Sequence, residues 1–374
     1  MSISARLKIT GIGAVSAAGT TSSALWRAMN GAGTAAREID DDDLVAPVRT
    51  MFLASERPVL EHSASALGIV AAEEALATAV EGGFRRATTR LAVVVGTGMG
   101  EAASQDALRS VGSDSFEESI FTTSSEIASA IGATGAVVSI SNACAAGAYA
   151  VGHAVDILLA GDAEAVLVVG AEVYSRVAVA SFNRMNALDA HGCRPFAVDR
   201  AGTLFGEGAA AVLLEPENSS THAVAWLTGA AFSCDAGHST APDETGVQIR
   251  RAFDDAVEST GRRHIGGVVP HGTGTLLNDS VEAQLLAERL PDAAWFSLKT
   301  LLGHTGGASA MLSLVAACLI TIHRIIPASP PVGDLIETAR FGLGHANQAL
   351  QGAVAVNAYA FGGNNATLIV EGVR

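Results

Sequence analysis

Cys144 lies in Ser139-Ile-Ser-Asn-Ala-Cys-Ala-Ala-Gly-Ala-Tyr149. The apolar run before it, Val137 to Ile140, reads as a short buried strand, and Ala145 to Ala160 reads as a helix stopped by Gly161. A thiol at that turn faces the positive end of a helix dipole and free backbone N–H groups, which favour thiolate and so make a nucleophile. The same N–H groups can hold an oxyanion. A cysteine among alanines is also a common inert core residue, so the rest of the chain must decide. Two histidines and a lysine stand in glycine-rich settings of their own, Val268-Val-Pro-His-Gly-Thr-Gly-Thr-Leu-Leu-Asn-Asp279 and Ser297-Leu-Lys-Thr-Leu-Leu-Gly-His-Thr-Gly-Gly307. Glycines beside His271 and His304 let the backbone approach a substrate closely, which a packed core histidine does not require.

Cys144, His271, Lys299 and His304, followed by Asn357-Ala-Tyr-Ala-Phe-Gly-Gly-Asn-Asn-Ala366, occur in an order that resembles the β-ketoacyl-acyl-carrier-protein synthases of the thiolase superfamily. The likeness is to the elongating Cys-His-His type and covers nearly the whole chain. It implies a thiolase-like five-layered α-β-α-β-α fold with two pseudo-symmetric halves. It further implies decarboxylative Claisen condensation of malonyl-carrier with an acyl group held on Cys144, in fatty-acid, polyene or other type II polyketide synthesis. By the same resemblance, His271 and His304 donate N–H groups to the enolate oxygen, and the backbone N–H groups of Cys144 and Phe361 form the oxyanion site. Phe361 would be the gate beside the nucleophile. Lys299 and Glu282 would form an ion pair that orients His304, and Thr273 and Thr275 would hold the phosphopantetheine arm. No metal and no bound cofactor are implied, because the acyl carrier protein brings phosphopantetheine with the substrate. A homodimer, or a heterodimer with a related ketosynthase-like subunit, is expected through a strand near the nucleophile, taken as Ala165 to Gly170.

Arg194-Pro-Phe196, Asp199-Arg-Ala-Gly202 and Gly206-Glu-Gly-Ala209 resemble a further family signature near the mouth of the site. Pro270 stands where the family usually has alanine and Asn364 where it usually has threonine, and the stretch 101 to 125 is short, which leaves the acyl preference open. A degradative thiolase would carry a second cysteine in a Cys-x-Gly motif, where this chain has Ala360-Phe-Gly-Gly. A chain-length-factor-like, non-elongating partner would lack the nucleophile.

An internal repeat organises the elements that must position these residues. Val93-Val-Val-Gly-Thr-Gly98 is echoed by Val269-Pro-His-Gly-Thr-Gly274, and Cys144-Ala-Ala-Gly147 by His304-Thr-Gly-Gly307. Two halves, 1–217 and 218–374, follow, each layering buried strands and helices. Ala165 to Val169 and Ala209 to Leu214 are continuous apolar runs that suit central strands covered on both faces. Segments 34–65 and 101–125 read as polar caps of loops and short helices.

Composition sets the outer bounds. With 374 residues, 49% of them hydrophobic, the chain can bury a large core. The longest apolar run, Gly306 to Ile326, contains His323 and Arg324 and reads as a buried helix rather than a membrane span. The N-terminus lacks a signal-peptide core, so a cytoplasmic location is expected. Cys144, Cys193, Cys234 and Cys318 have neither disulfide nor zinc spacing. The net charge, 23 minus 38 or −15, argues against a nucleic-acid partner. It also sets an acidic carrier against an acidic enzyme. Local basic patches at Arg85, Arg86 and Arg90, or at Arg262, Arg263 and His264, are the candidate docking points, with Arg194 and Arg200 next.

Overall fold

The apolar runs become strands whose residues point into packed layers on both faces. The computed structural model describes residues 2–3, 5–112, 120–344 and 346–373. In chain order the core strands are β1 (Leu7–Ser16), β2 (Leu91–Gly96), β3 (Val137–Ile140), β4 (Ala165–Glu172) and β5 (Gly208–Pro216). They are followed by β6 (Ala225–Cys234), β7 (Ile265–Val269), β8 (Ala294–Trp295), β9 (Ala353–Ala360) and β10 (Asn364–Gly372). The spatial order is β3-β2-β4-β5-β1 in one half and β8-β7-β9-β10-β6 in the other. Each half pairs its first three strands in parallel and the remaining two antiparallel. The halves meet where Leu7 to Ile9 pair with Leu227 to Ala225. The repeat seen in the sequence thus falls on equivalent strands, β2 and β7.

Three layers of helices separate and cover the sheets. On the outside of the first sheet lies α1 (Ala64–Glu81), with α2 (Ile120–Ala130) beside it. Between the sheets run α3 (Ala146–Ala160) and, from the other half, the helix Ser309–His323, which pack on each other and on strands of both sheets. Small residues permit that crossing, since a Cβ on Gly147 would stand 2.7 Å from the Met311 side chain. The second sheet is covered by the helix Val247–Ser259, and Leu276–Arg289 shares its apolar cluster with Ile265, Val268 and Ala355. The result is the five-layered arrangement. Ser309 to Thr321 is buried throughout, so its hydropathy is that of a core helix, and each fully buried Leu or Val there contributes about 1.5–3 kcal/mol.

Two expectations change. Val137 to Ile140 is only half-buried, because β3 is the edge of its sheet. Ala165 to Gly170, taken as the dimer strand, lies within β4 and is hydrogen-bonded on both sides, to β2 and β5. It has no free edge to offer. Lys299 lies in a short helix, Leu298–Leu302. Within the caps, Arg37–Glu38 pairs with Thr50–Met51 as a small ribbon and Ala102–Ser110 is helical, while 113–119 lie outside the described residues.

Candidate active site

The chemical residues stand past the C-terminal ends of the parallel strands. Cys144 follows β3 in a single turn, Ala143–Ala145, that leads into α3. Ala143 takes φ 47°, in the left-handed region that a residue with a Cβ rarely adopts, and this bend presents the thiol at the turn. Burial pushes the Cys144 thiol up to about 11, against the pull of the Lys299 cation and with the Glu172 carboxylate adding to the rise. The thiolate expected from the helix start is therefore not the resting state. The pull of a helix terminus, at most about 2 kcal/mol, does not offset the desolvation of this half-buried thiol.

His271 follows β7 and is buried. Its backbone N–H and that of Gly272 donate to the two oxygens of Glu282, at 2.8 and 2.7 Å. Asn357 donates to the same carboxylate at 3.0 Å, and burial raises Glu282 to about 7 despite these donors. Asp279 performs the same service for Thr273 and Gly274. Lys299 donates from Nζ to the His271 carbonyl, and Nζ is also 3.4 Å from His271 Nδ1. An ammonium only donates, so Nδ1 is the acceptor and the ring proton sits on Nε2.

His304 reaches the same state by another route. Gly306 N–H donates to its Nδ1 at 3.2 Å, with Ser309 Oγ 3.1 Å from the same nitrogen, which again leaves the proton on Nε2. Gly306 has φ 50°, and a Cβ there would strike the Glu172 carboxylate. Burial holds both imidazoles well below their ordinary value, and the Lys299 charge lowers them further. The rings stand nearly perpendicular, 5.8 Å apart. They are two neutral N–H donors. The expected Lys299–Glu282 ion pair orienting His304 is replaced: both residues hold His271, while Gly306 and Ser309 hold His304.

Two cavities meet at Cys144. One, of about 60 Å³, is lined by His271, His304, Thr273, Thr275 and Asn278. The Thr273 and Thr275 hydroxyls in it lie 2.9 Å apart. The other, of about 410 Å³, is mostly apolar, with Met99, Val173, Val179 and Met185 in its walls. Phe361 and Phe182 line both cavities and stack on each other at 5.2 Å, and Phe182 in turn meets Phe205 edge-on at 4.8 Å. A thiol between a polar channel and an apolar chamber, with two N–H donors at hand, suits acyl transfer through a thioester.

Family models match in the same sense: the β-ketoacyl synthase N-terminal domain over 62–220 and its C-terminal domain over 224–333. The chain belongs to the β-ketoacyl synthase family. It is 32% identical to 3-oxoacyl-[acyl-carrier-protein] synthase 2 of Mycobacterium leprae over 64% of this chain and 63% of that relative. It is 29% identical to the tetracenomycin polyketide synthase ketoacyl synthase alpha subunit of Streptomyces glaucescens, over 86% of each. Among solved structures, the ishigamide ketosynthase/chain length factor superposes with a TM-score of 0.87 at 27% identity, covering 99% of this chain and 100% of that one.

In this β-ketoacyl synthase, several supporting residues escaped the sequence reading. Glu172, buried at the end of β4, accepts N–H groups from Gly98, Met99 and Gly307 at 2.7, 2.9 and 2.7 Å, and so ties the two halves together beside Cys144. A carboxylate closing a wholly apolar strand was the available signal. Asn357 and Asp279 gave none, because their partners are distant or backbone, whereas Ser309 stands five residues beyond His304, the ring it meets. Arg85, Arg86 and Arg90 precede β2, and Arg262, Arg263 and His264 precede β7, at the strand ends opposite the catalytic groups. A six-residue strand puts roughly 20 Å between those ends. Arg194 is engaged by Asp189 and Asp199, and Arg200 by the Ala197 and Leu276 carbonyls.

Proposed function

We propose that this chain is an elongating β-ketoacyl-carrier-protein synthase. The acyl carbon of an incoming thioester bonds to the Cys144 sulfur, and the thiol proton leaves with the phosphopantetheine thiol. A malonyl thioester then loses carbon dioxide, and the enolate oxygen accepts hydrogen bonds from the Nε2–H groups of His271 and His304. The enolate carbon attacks the Cys144 thioester, the tetrahedral oxyanion rests on the Cys144 and Phe361 backbone N–H groups, and collapse expels the Cys144 sulfur. Protonation of that sulfur restores the thiol. With both histidines neutral, their work is electrophilic stabilisation rather than proton abstraction.

The observation that carries this reading is the pair of Nε2–H donors in the cavity of a nucleophilic-turn cysteine. Thr273 and Thr275 suit the amide-rich arm of phosphopantetheine, which an acyl carrier protein delivers with the substrate. The apolar chamber suits the acyl chain. A dimer, with a second copy or a related subunit, fits the open edge of β3 beside Cys144; the solved ketosynthase/chain length factor named above is such a pairing in its own case. The reading also carries a cytoplasmic location. Its test is condensation: wild-type protein given acyl- and malonyl-carrier should release carbon dioxide and form β-ketoacyl-carrier, and Cys144→Ala should not. Condensation by Cys144→Ala near the wild-type rate refutes it.

A further inference from the structure

The apolar chamber has one wall from ahead of the matched family models, whose first residue is 62. That wall is Met51, buried at 3% exposure. The segment bearing it is fastened against the chamber at several points. The Phe52 N–H donates to the Phe205 carbonyl and the Glu207 N–H to the Phe52 carbonyl, at 3.0 and 2.9 Å, so Met51 is registered against two chamber residues, Phe205 and Gly206. Ile39, Leu44, Met51 and Leu53 share one apolar cluster with Tyr174, Val179 and Phe205.

Buried charge that the chemistry does not use holds the same segment. Asp41, 2% exposed, accepts from Arg176 Nε at 2.5 Å and from the Tyr174 hydroxyl at 2.6 Å. Arg176 begins the helix Arg176–Arg184, which supplies Val177, Val179 and Phe182 to the chamber. At the other end of the segment, His62 Nδ1 lies 2.7 Å from Glu207 and Nε2 2.8 Å from the Arg57 carbonyl. Both ring nitrogens face acceptors, so His62 is an imidazolium buried against a carboxylate. Glu207 also accepts from the backbone N–H groups of Ala54 and Tyr174. Removing one partner of such a pair leaves a buried charge uncompensated, so these groups fix the segment in one place.

We propose that Met51 is a specificity-determining residue that sets the size of acyl chain accepted on Cys144, with Asp41 and His62 as positioning residues for the segment that carries it. This rests on the reading of the apolar chamber as the acyl site. A chamber of about 410 Å³ has room for a medium-length acyl chain. A thioether side chain, unbranched and adaptable, suits a wall met by a flexible chain.

The experiment measures Cys144 acylation by intact mass across straight-chain acyl-pantetheine thioesters from four to sixteen carbons. Met51→Ala should move the preferred length upward and Met51→Phe downward, each changing the long-to-short rate ratio by about tenfold or more, since one methylene in an apolar pocket is worth that much discrimination. Met51→Leu, which conserves volume, should leave the profile in place. Asp41→Asn should broaden the profile while the shortest chain reacts as before. Acylation of the wild type by no chain length defeats the reading of the site. Normal acylation, with Met51→Ala and Met51→Phe both keeping the wild-type profile, defeats the assignment of Met51 alone.

Discussion

Lys299 donates to the carbonyl oxygen of His271 and holds its Nζ 3.4 Å from Nδ1 of the same residue, so one cation fixes both the backbone and the ring of one histidine. Glu282 accepts from the N–H of that residue at 2.8 Å. His304 shares none of these partners. The two donors are thus independently mounted, and losing one mount need not disturb the other.

Lys299→Met should therefore act through His271. Without the ammonium, the ring loses what keeps its proton on Nε2, and malonyl decarboxylation should fall on the order of a hundredfold, as when one oxyanion donor is lost. Nitrogen NMR of the labelled imidazoles should show His271 as a tautomer mixture and His304 unchanged. A single Nε2–H form for His271 with normal decarboxylation would contradict this mounting.

The pH profile follows from burial. His271 and His304 lie well below the ordinary histidine value, so neither gains a proton as pH falls from about 8 to about 6. Nitrogen NMR of the labelled imidazoles should show both rings neutral across that window, and a histidine titration centred near 6.5 would contradict the neutral pair. The Cys144 thiol, pushed up to about 11, is protonated at neutral pH. Its alkylation should climb about tenfold per pH unit toward that value, where a thiolate of low pKa would plateau early.

How much of this was legible in the chain depends on whether the deciding contact is local. Cys144, His271 and His304 were readable because each stands in a glycine- or alanine-rich turn after an apolar run, and the repeat between Val93 and Val269 exposed the two-fold plan. The resting state of Cys144 was not. Helix polarity is visible in sequence, but the burial that outweighs it, and the opposing pull of Lys299 155 positions away by the numbering, arise only when distant segments pack around the turn. The partner of Lys299 was misjudged for the same reason. The resemblance made it a mate for Glu282, whereas folding sets Lys299 on the carbonyl of His271 and Glu282 on its N–H. The edge strand was misjudged because apolarity marks both β3 and β4 as strands, and only the sheet order shows which one keeps a free edge.

That edge predicts the assembly. Val93 N–H donates to the Ala136 carbonyl and Thr97 N–H to that of Ile140, so alternation turns the Val137 and Ser139 N–H groups toward the open side. Ser139→Pro deletes one of them, twice in a symmetric dimer. The loss of about 2 kcal/mol should weaken dimerisation roughly thirtyfold in sedimentation. A stable, active wild-type monomer at micromolar concentration would contradict the edge-to-edge dimer.

Carrier docking has a clear negative expectation. Reversing the charges of Arg85, Arg86 and Arg90 in one variant, and of Arg262 and Arg263 in another, should leave the KM for carrier-bound substrate unchanged, because both groups sit at the strand ends remote from Cys144. A severalfold rise in KM for either variant would place the docking surface there after all.

The central claim is that Cys144 accepts the acyl group, and one measurement addresses it directly. Wild-type protein incubated with an acyl-carrier thioester and no malonyl donor should gain the mass of one acyl group per chain, located by peptide mapping on Cys144 and discharged when malonyl-carrier is added. Cys144→Ala should gain nothing. An unmodified wild-type Cys144, or an acyl group found equally on Cys144→Ala, would contradict the account.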